Sequence, residues 1–296
     1  MSGARDQLSL LSPSVAPILK WVGSKSWLVP SLVPEILGLL RRSPSARYHE
    51  LFLGSGAVFF ALRQAGWAGR ASLSDACGPL IGMYRALNCD PHGTIGALCG
   101  LLELERTTPR EALYYEIRET FNREHGDSNP LQAARLIWLN HRCFNGLYRT
   151  NDSGAFNTSY GGDERTGMPT TGELAAVSDA LQNATTTHAS FDAETTGSGL
   201  TIPRIYHPGD VVFADPPYDG TFTSYTGTFA GDEQMRLAGM LHGLAASGVH
   251  VFATNSDTPQ IRRLYHWASA EVLTTSYRVG GDREPVSELL LRGGGA

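Results

Sequence analysis

One stretch, Ala46 to Asp75, limits the fold of this 296-residue chain more than any other. Ala46–Phe52 reads as a short strand. It runs directly into Gly54-Ser55-Gly56, a helix is predicted over Ala57–Ala65, and Ala71–Leu73 starts a second strand that ends at Asp75. Two neighbouring strands separated by a helix run in the same direction, because a tight hairpin cannot join them. A sheet built this way is covered on both faces by its crossover helices, so its strands are short and apolar throughout. The same rhythm returns late in the chain. Val211–Ala214 is a buried-strand candidate that ends at Asp215. Asp232–Ala246 is a helix with Leu237, Met240, Leu241 and Leu244 on one face, and Val249–Ala253 is a further strand ending in Thr254 and Asn255. Glu288–Leu291 is expected as a final edge strand, and Val29–Leu40 has helical spacing.

Between these two halves the character changes. Ile95–Leu104, Glu111–Phe121 and Pro130–Asn140 read as helices, and His141–Gly162 is dense in Asn, Gly, Arg and aromatic residues. The expected organisation is a loose tail over 1–16, an α/β domain formed by 17–75 and 166–292, a mainly helical insertion over 76–165, and a frayed end over 293–296.

Composition excludes several classes. With 42% hydrophobic residues the chain can bury a core, so wholesale disorder is ruled out. The balance of 24 basic against 29 acidic residues gives −5, so any contact with nucleic acid must be local. No apolar run approaches the ~18 residues of a membrane span, and the N-terminal stretch lacks the apolar core of a signal peptide. Cys77, Cys89, Cys99 and Cys143 have neither paired nor zinc-ligand spacing and read as free thiols, so no metal is expected.

Two constellations carry chemistry. Gly54 and Gly56 allow a sharp turn and close approach of a ligand to the main chain, and Asp75 follows Gly54 by 21 residues. An acidic residue about 20 positions on commonly accepts hydrogen bonds from ribose hydroxyls, which points to an adenosine-containing cofactor. An ordinary strand–turn–helix with a capping Asp has the same pattern, and the spacing is not the GxGxxG of a nicotinamide site. The second is Asp215-Pro216-Pro217-Tyr218, directly after an apolar strand. Two prolines stiffen the loop and remove two N–H donors, leaving carboxylate and carbonyl acceptors that suit a donor-rich amine. Tyr218 adds a face on which a planar base can stack. In the segment Asn140–Gly162, Arg and Asn side chains suit base edges and phosphates, although Asn and Gly also form plain polar turns.

These strings resemble the Dam-like (D12 class) DNA adenine-N6 methyltransferases, which depend on S-adenosylmethionine. Lys20–Lys25 (KWVGSK) is similar to the family's KWxGxK, and Glu50–Phe60 (ELFLGSGAVFF) to EPFxGSGAVFF. Leu73-Ser74-Asp75, His141–Gly161, Phe191-Asp192, the intact DPPY with Phe222, Tyr225 and Phe229 beyond it, and Val286–Leu291 follow in the family's order. The resemblance implies a class I methyltransferase, with a Rossmann-like, mostly parallel sheet and an inserted target-recognition subdomain. It implies that Trp21, Lys25, Phe52, Gly54, Gly56, Asp75, Phe191, Asp192 and Asp215 bind S-adenosylmethionine. Asp215, Pro216, Pro217 and Tyr218 would be catalytic, and Arg142, Asn145, Tyr148, Arg149, Asn151 and Asn157 would contact double-stranded DNA. It further implies a monomer or weak dimer in a bacterial or phage-infected cytoplasm.

Leu51 stands where the family has proline, Thr158-Ser159 where it has Val-Pro, and Arg283-Glu284-Pro285 where relatives are more basic. The acidic balance also keeps RNA, a nucleoside or a small amine open as acceptors, and leaves a non-catalytic DNA-binding protein as a further alternative.

Overall fold

The computed structural model describes residues 14–124, 129–164, 167–192, 194–195, 201–202, 204–219, 229, 231–279 and 282–295. Most of the expected N-terminal tail, Phe222, Tyr225, Gly280 and Gly281 lie outside these residues.

Seven strands form one sheet: β1 (Tyr48–Glu50), β2 (Ala71–Asp75), β3 (Ala184–His188), β4 (Val211–Ala214), β5 (His250–Ser256), β6 (Ser269–Val279) and β7 (Asp282–Gly293). Their spatial order is β3-β2-β1-β4-β5-β7-β6. The first five are parallel, with Tyr48 beside both Ala71 and Val211, and β7 runs antiparallel between β5 and β6. This is a Rossmann-like, mostly parallel sheet, as the resemblance implies. Chain order reverses between β1 and β4. Ligands of such sheets bind at that reversal, outside the carboxyl ends of the strands. Glu50 and Asp75 end β1 and β2, and Asp215 directly follows β4, so three carboxyl groups converge there.

Burial explains why the strands read as continuously apolar. Val211 and Phe213 face one core and Val212 and Ala214 the other, and all four are buried. The first core includes residues of α1 (Val29–Arg42), α2 (Ala57–Gln64), α3 (Gly78–Cys89) and α7 (Thr171–Ala180). The second is closed by α8 (Gly231–Ala246) and α9 (Pro259–Leu264).

The helical segment adds α4 (Pro91–Thr107), α5 (Arg110–Arg123) and α6 (Pro130–Arg142). Ala133, Ala134, Leu136, Ile137, Trp138 and Leu139 of α6 are buried in the same core as Leu73 and Phe213 of the sheet. After α6 the chain folds back on itself, with bridges Cys143–Tyr160 and Thr150–Phe156.

The last strand departs from expectation. Residues 288–291 are not at an edge: they lie within the twelve-residue β7, and β6 forms the edge. Interior pairing on both sides accounts for the apolar run Leu289–Leu291.

Candidate active site

The glycine loop is fixed from several sides. Gly54 and Gly56 have φ of +49° and +70°. A Cβ on Gly54 would lie 3.0 Å from Trp21 Cδ1, and one on Gly56 would lie 2.8 Å from Phe60 Cε2. Backbone conformation and space therefore both demand glycine. Tyr84, buried in α3, donates its hydroxyl to the Ser55 carbonyl at 3.0 Å. Asp75 accepts from Gly54 N and Cys77 N, both at 2.9 Å. Burial pushes its carboxyl above the usual range. Asp75 thus ties the glycine loop to the segment that leads into α3.

Beside the loop stands an aromatic wall. Phe52 stacks on Phe191 with centroids 5.9 Å apart, and Phe229 meets both edge-on at 5.8 Å. Asp192, next to Phe191, is paired with Arg236 of α8. The Arg236 guanidinium also covers the Phe191 ring at 5.4 Å.

On the other side, the Asp215 loop is clamped. Lys25 Nζ pairs with Asp215 Oδ1 at 2.8 Å, donates to Gly23 O at 2.7 Å and lies 4.8 Å from the Tyr218 centroid. Thr254 of β5 donates to the same Asp215 oxygen. The Pro217 carbonyl accepts from Gln234 Nε2 at 2.8 Å, and Asn255 Oδ1 accepts from Asp219 N at 3.1 Å. Tyr218 donates to Glu288 Oε2 at 2.6 Å. Burial is the main cause raising the Tyr218 phenol, so it stays neutral.

A glycine cradle, a ring wall and a clamped DPPY loop therefore meet at the sheet's reversal. The model of the D12 class N6 adenine-specific DNA methyltransferases matches residues 21–279, which span the cradle, the ring wall and the DPPY loop, with Glu288 just beyond. The chain belongs to that class. Its relatives include the retron Ec67 DNA adenine methylase of Escherichia coli, 32% identical over 93% of this chain and 90% of that protein. The DNA adenine methylase of Vibrio cholerae is 33% identical over 92% and 94%, and the type II methyltransferase M.MjaIII of Methanocaldococcus jannaschii 30% over 82% and 84%.

This D12-class methyltransferase transfers a methyl group to adenine N6 in DNA, so it requires a methyl donor. The residues present fit a cationic, adenosine-bearing donor. The Asp215 carboxylate at the end of β4 suits a cation, and the ring wall suits a planar base. Among the described residues, no group of three or more His, Cys, Asp or Glu is placed to hold a metal, and no helix is long and apolar enough to cross a membrane.

The six residues expected at DNA divide by burial. Asn145, Arg149 and Asn151 are exposed and Asn157 is half-buried. Asn145 has φ +53°, Arg149 Nε donates to Asn157 Oδ1 at 2.7 Å, and Asn151 Oδ1 accepts from Ser153 and Ala155 to shape the turn. The other pair lies inside the methyltransferase. Arg142 is 3% exposed and grips Glu105 through Nε and Nη2, each at 3.0 Å. Tyr148 is buried and stacks on Trp21 at 5.5 Å and on Phe156 at 5.4 Å. Its ring thus backs Trp21, which lies against Gly54.

Residue types alone did not reveal the supporting groups. Asn140 ties Lys20 to Gly146, Tyr84 props the glycine loop, and Thr254, Gln234, Asn255 and Glu288 hold the DPPY loop. Polar residues inside apolar segments were the available signal, since a buried polar group requires a partner.

Proposed function

We propose that the methyl donor is S-adenosylmethionine, that the acceptor adenine is turned out of duplex DNA, and that Asp215, Pro216, Pro217 and Tyr218 form its site. The observation that carries this reading is the Asp215 carboxylate, held by Lys25 and Thr254 at the end of β4 beside the Tyr218 ring. An adenine amine is a weak nucleophile because its lone pair is delocalised into the ring. Asp215 and the Pro216 carbonyl accept its two N–H bonds, which favours a pyramidal nitrogen with the lone pair free to attack. When bound, the sulfonium supplies the activated methyl group. The N–CH3 bond would form as the S–CH3 bond breaks, the sulfur would leave as a neutral thioether, and the proton lost by the amine would pass to the Asp215 carboxylate that accepts its N–H. The protein's part is positioning, worth up to about 7–11 kcal/mol of barrier, and electrostatic stabilisation. Tyr218 offers the flipped base a stacking face.

Trp21, Gly54, Gly56 and Asp75 cradle the donor's ribose and methionine end, and Phe52, Phe191 and Asp192 bound its adenine. Lys25 neutralises Asp215 until substrate arrives. Asn145, Arg149, Asn151 and Asn157 reach the DNA, with Arg142 and Tyr148 supporting them from within. A monomer of 32.0 kDa is enough, because these parts all lie on one chain. Relatives from bacteria and a phage favour a bacterial or phage-infected cytoplasm, and the name of a type II methyltransferase favours a restriction-modification context.

The test is methyl transfer from labelled S-adenosylmethionine to mixed-sequence duplex DNA, followed by nucleoside digestion and mass analysis. Wild type is expected to yield N6-methyladenine, and Asp215→Ala to lose about a hundredfold or more in rate. Transfer by a folded Asp215→Ala at the wild-type rate would overturn the mechanism. Transfer to RNA or a small amine instead would overturn the acceptor.

A further inference from the structure

Glu288 sits in β7 immediately before three leucines and is 1% exposed. It lies across from Ser256 of β5 and Leu273 of β6, so it is interior to the sheet. A carboxyl group buried there is costly unless it is hydrogen-bonded. Its Oε2 accepts the Tyr218 hydroxyl at 2.6 Å, a length typical of a charge-assisted O–H···O bond. Thr254, one strand away, bonds Asp215 at the other end of the same loop and also reaches Tyr218. A phenylalanine at 218 would offer an equal stacking face, so the hydroxyl serves the protein side of the ring.

We infer that Glu288 is a positioning residue for methyl transfer: by holding the Tyr218 hydroxyl it fixes the plane of the ring that walls the target-base pocket, while Thr254 sets the neighbouring Asp215. Without the bond the ring still fills its place but loses the partner that sets its tilt, and the amine nitrogen loses its line to the methyl carbon. The effect therefore falls on turnover with DNA rather than on donor binding. This inference rests on the reading of Tyr218 as the acceptor-site ring.

The experiment is a double-substitution cycle with Tyr218→Phe, Glu288→Leu and the pair, plus Glu288→Gln. Each protein is followed by thermal melting and by kinetics with S-adenosylmethionine and mixed-sequence duplex DNA. Glu288→Leu is expected to lower kcat by about ten- to a hundredfold, with the KM for S-adenosylmethionine within about twofold of wild type. Glu288→Gln, whose amide oxygen still accepts, is expected to stay within about threefold. In the Tyr218→Phe background, Glu288→Leu is expected to cost nothing further. Multiplying losses in the pair, or an unchanged kcat in a folded Glu288→Leu, would overturn the inference. So would melting-temperature coupling between the two positions without any change in kcat, which is what a purely structural bond gives. If Glu288→Leu does not fold, the cycle is run with Glu288→Gln against Tyr218→Phe, where multiplying losses again overturn it. The melting cycle needs no substrate, so absent coupling refutes the contact even if wild type methylates no DNA.

Discussion

Glu50 shows how the site sets single residues against their ordinary chemistry. It ends β1 between β2 and β4, fully enclosed, with the Tyr48 hydroxyl donating to Oε2 at 2.8 Å. Burial, with smaller contributions from Asp215 and Asp75, pushes its carboxyl up to about 8. The native protein therefore holds this proton where the unfolded chain, with an ordinary value near 4.5, has released it. Stability from this group is complete below pH 4.5 and is lost as pH rises toward 8, by ~1.4 kcal/mol per unit. Glu50→Gln keeps the shape and removes the charge. Its melting temperature relative to wild type is expected to climb steadily between pH 5 and pH 8.5. A difference that stays flat across that range would show that Glu50 ionises normally.

Among the elements, the segment before α1 has the most to lose from a single substitution. Lys20 and Trp21 belong to no helix or strand, yet Trp21 lies against Gly54. Asn140, near the end of α6, holds this segment in place. Its Oδ1 accepts from Lys20 N at 2.8 Å, and its Nδ2 donates to Lys20 O at 2.9 Å and to Gly146 O at 3.1 Å. At about 1 kcal/mol for each bond, Asn140→Ala is expected to cost about 2–4 kcal/mol and to weaken S-adenosylmethionine binding beyond what partial unfolding explains. Denaturant melts paired with calorimetry check both, and a lower stability with unchanged affinity would remove Asn140 from the site. Such long-range ties were not legible in the sequence, where residues 20 and 140 are simply far apart. The elements that were legible carried their own local signal. Val211–Ala214 was bounded as found because apolar burial on both faces leaves a continuous run, and α5, α6 and α8 kept a readable period. α3 was missed because it is buried nearly all round and has no polar stripe, and β3 because its ATTTH sequence looks polar. α7 had a readable signal in the capping box of Thr170 and Glu173. The DPPY loop and the glycine turn were legible because their chemistry is local. The residues that hold them lie on other strands and helices.

On the scale of the whole molecule, the helical segment and the sheet share one core. Trp138 of α6, Leu98 of α4 and Tyr114 of α5 belong to the same buried cluster as Leu73 of β2 and Phe213 of β4. α3 packs on β2 and β3 on one side and on α6 on the other, so no water layer divides insertion from sheet. The turn proposed to face DNA is hung from this body. Tyr114 and Arg118 of α5 donate to the Thr158 carbonyl at 2.9 and 3.0 Å, and Asn122 exchanges two bonds with Phe156. Mounted on the sheet's own core, the turn proposed for recognition keeps a fixed distance from Asp215, which is what a reaction limited by orientation requires. The thermodynamic consequence is cooperativity. Where two segments bury one core, neither opens alone without exposing the apolar surface of the other. Native-state hydrogen exchange is expected to give the amides of Leu136–Leu139 in α6 the same opening free energy and denaturant dependence as those of Leu73 and Phe213. A lower, separate opening energy for α4–α6 would mean that the insertion folds as its own unit and that recognition swings relative to chemistry.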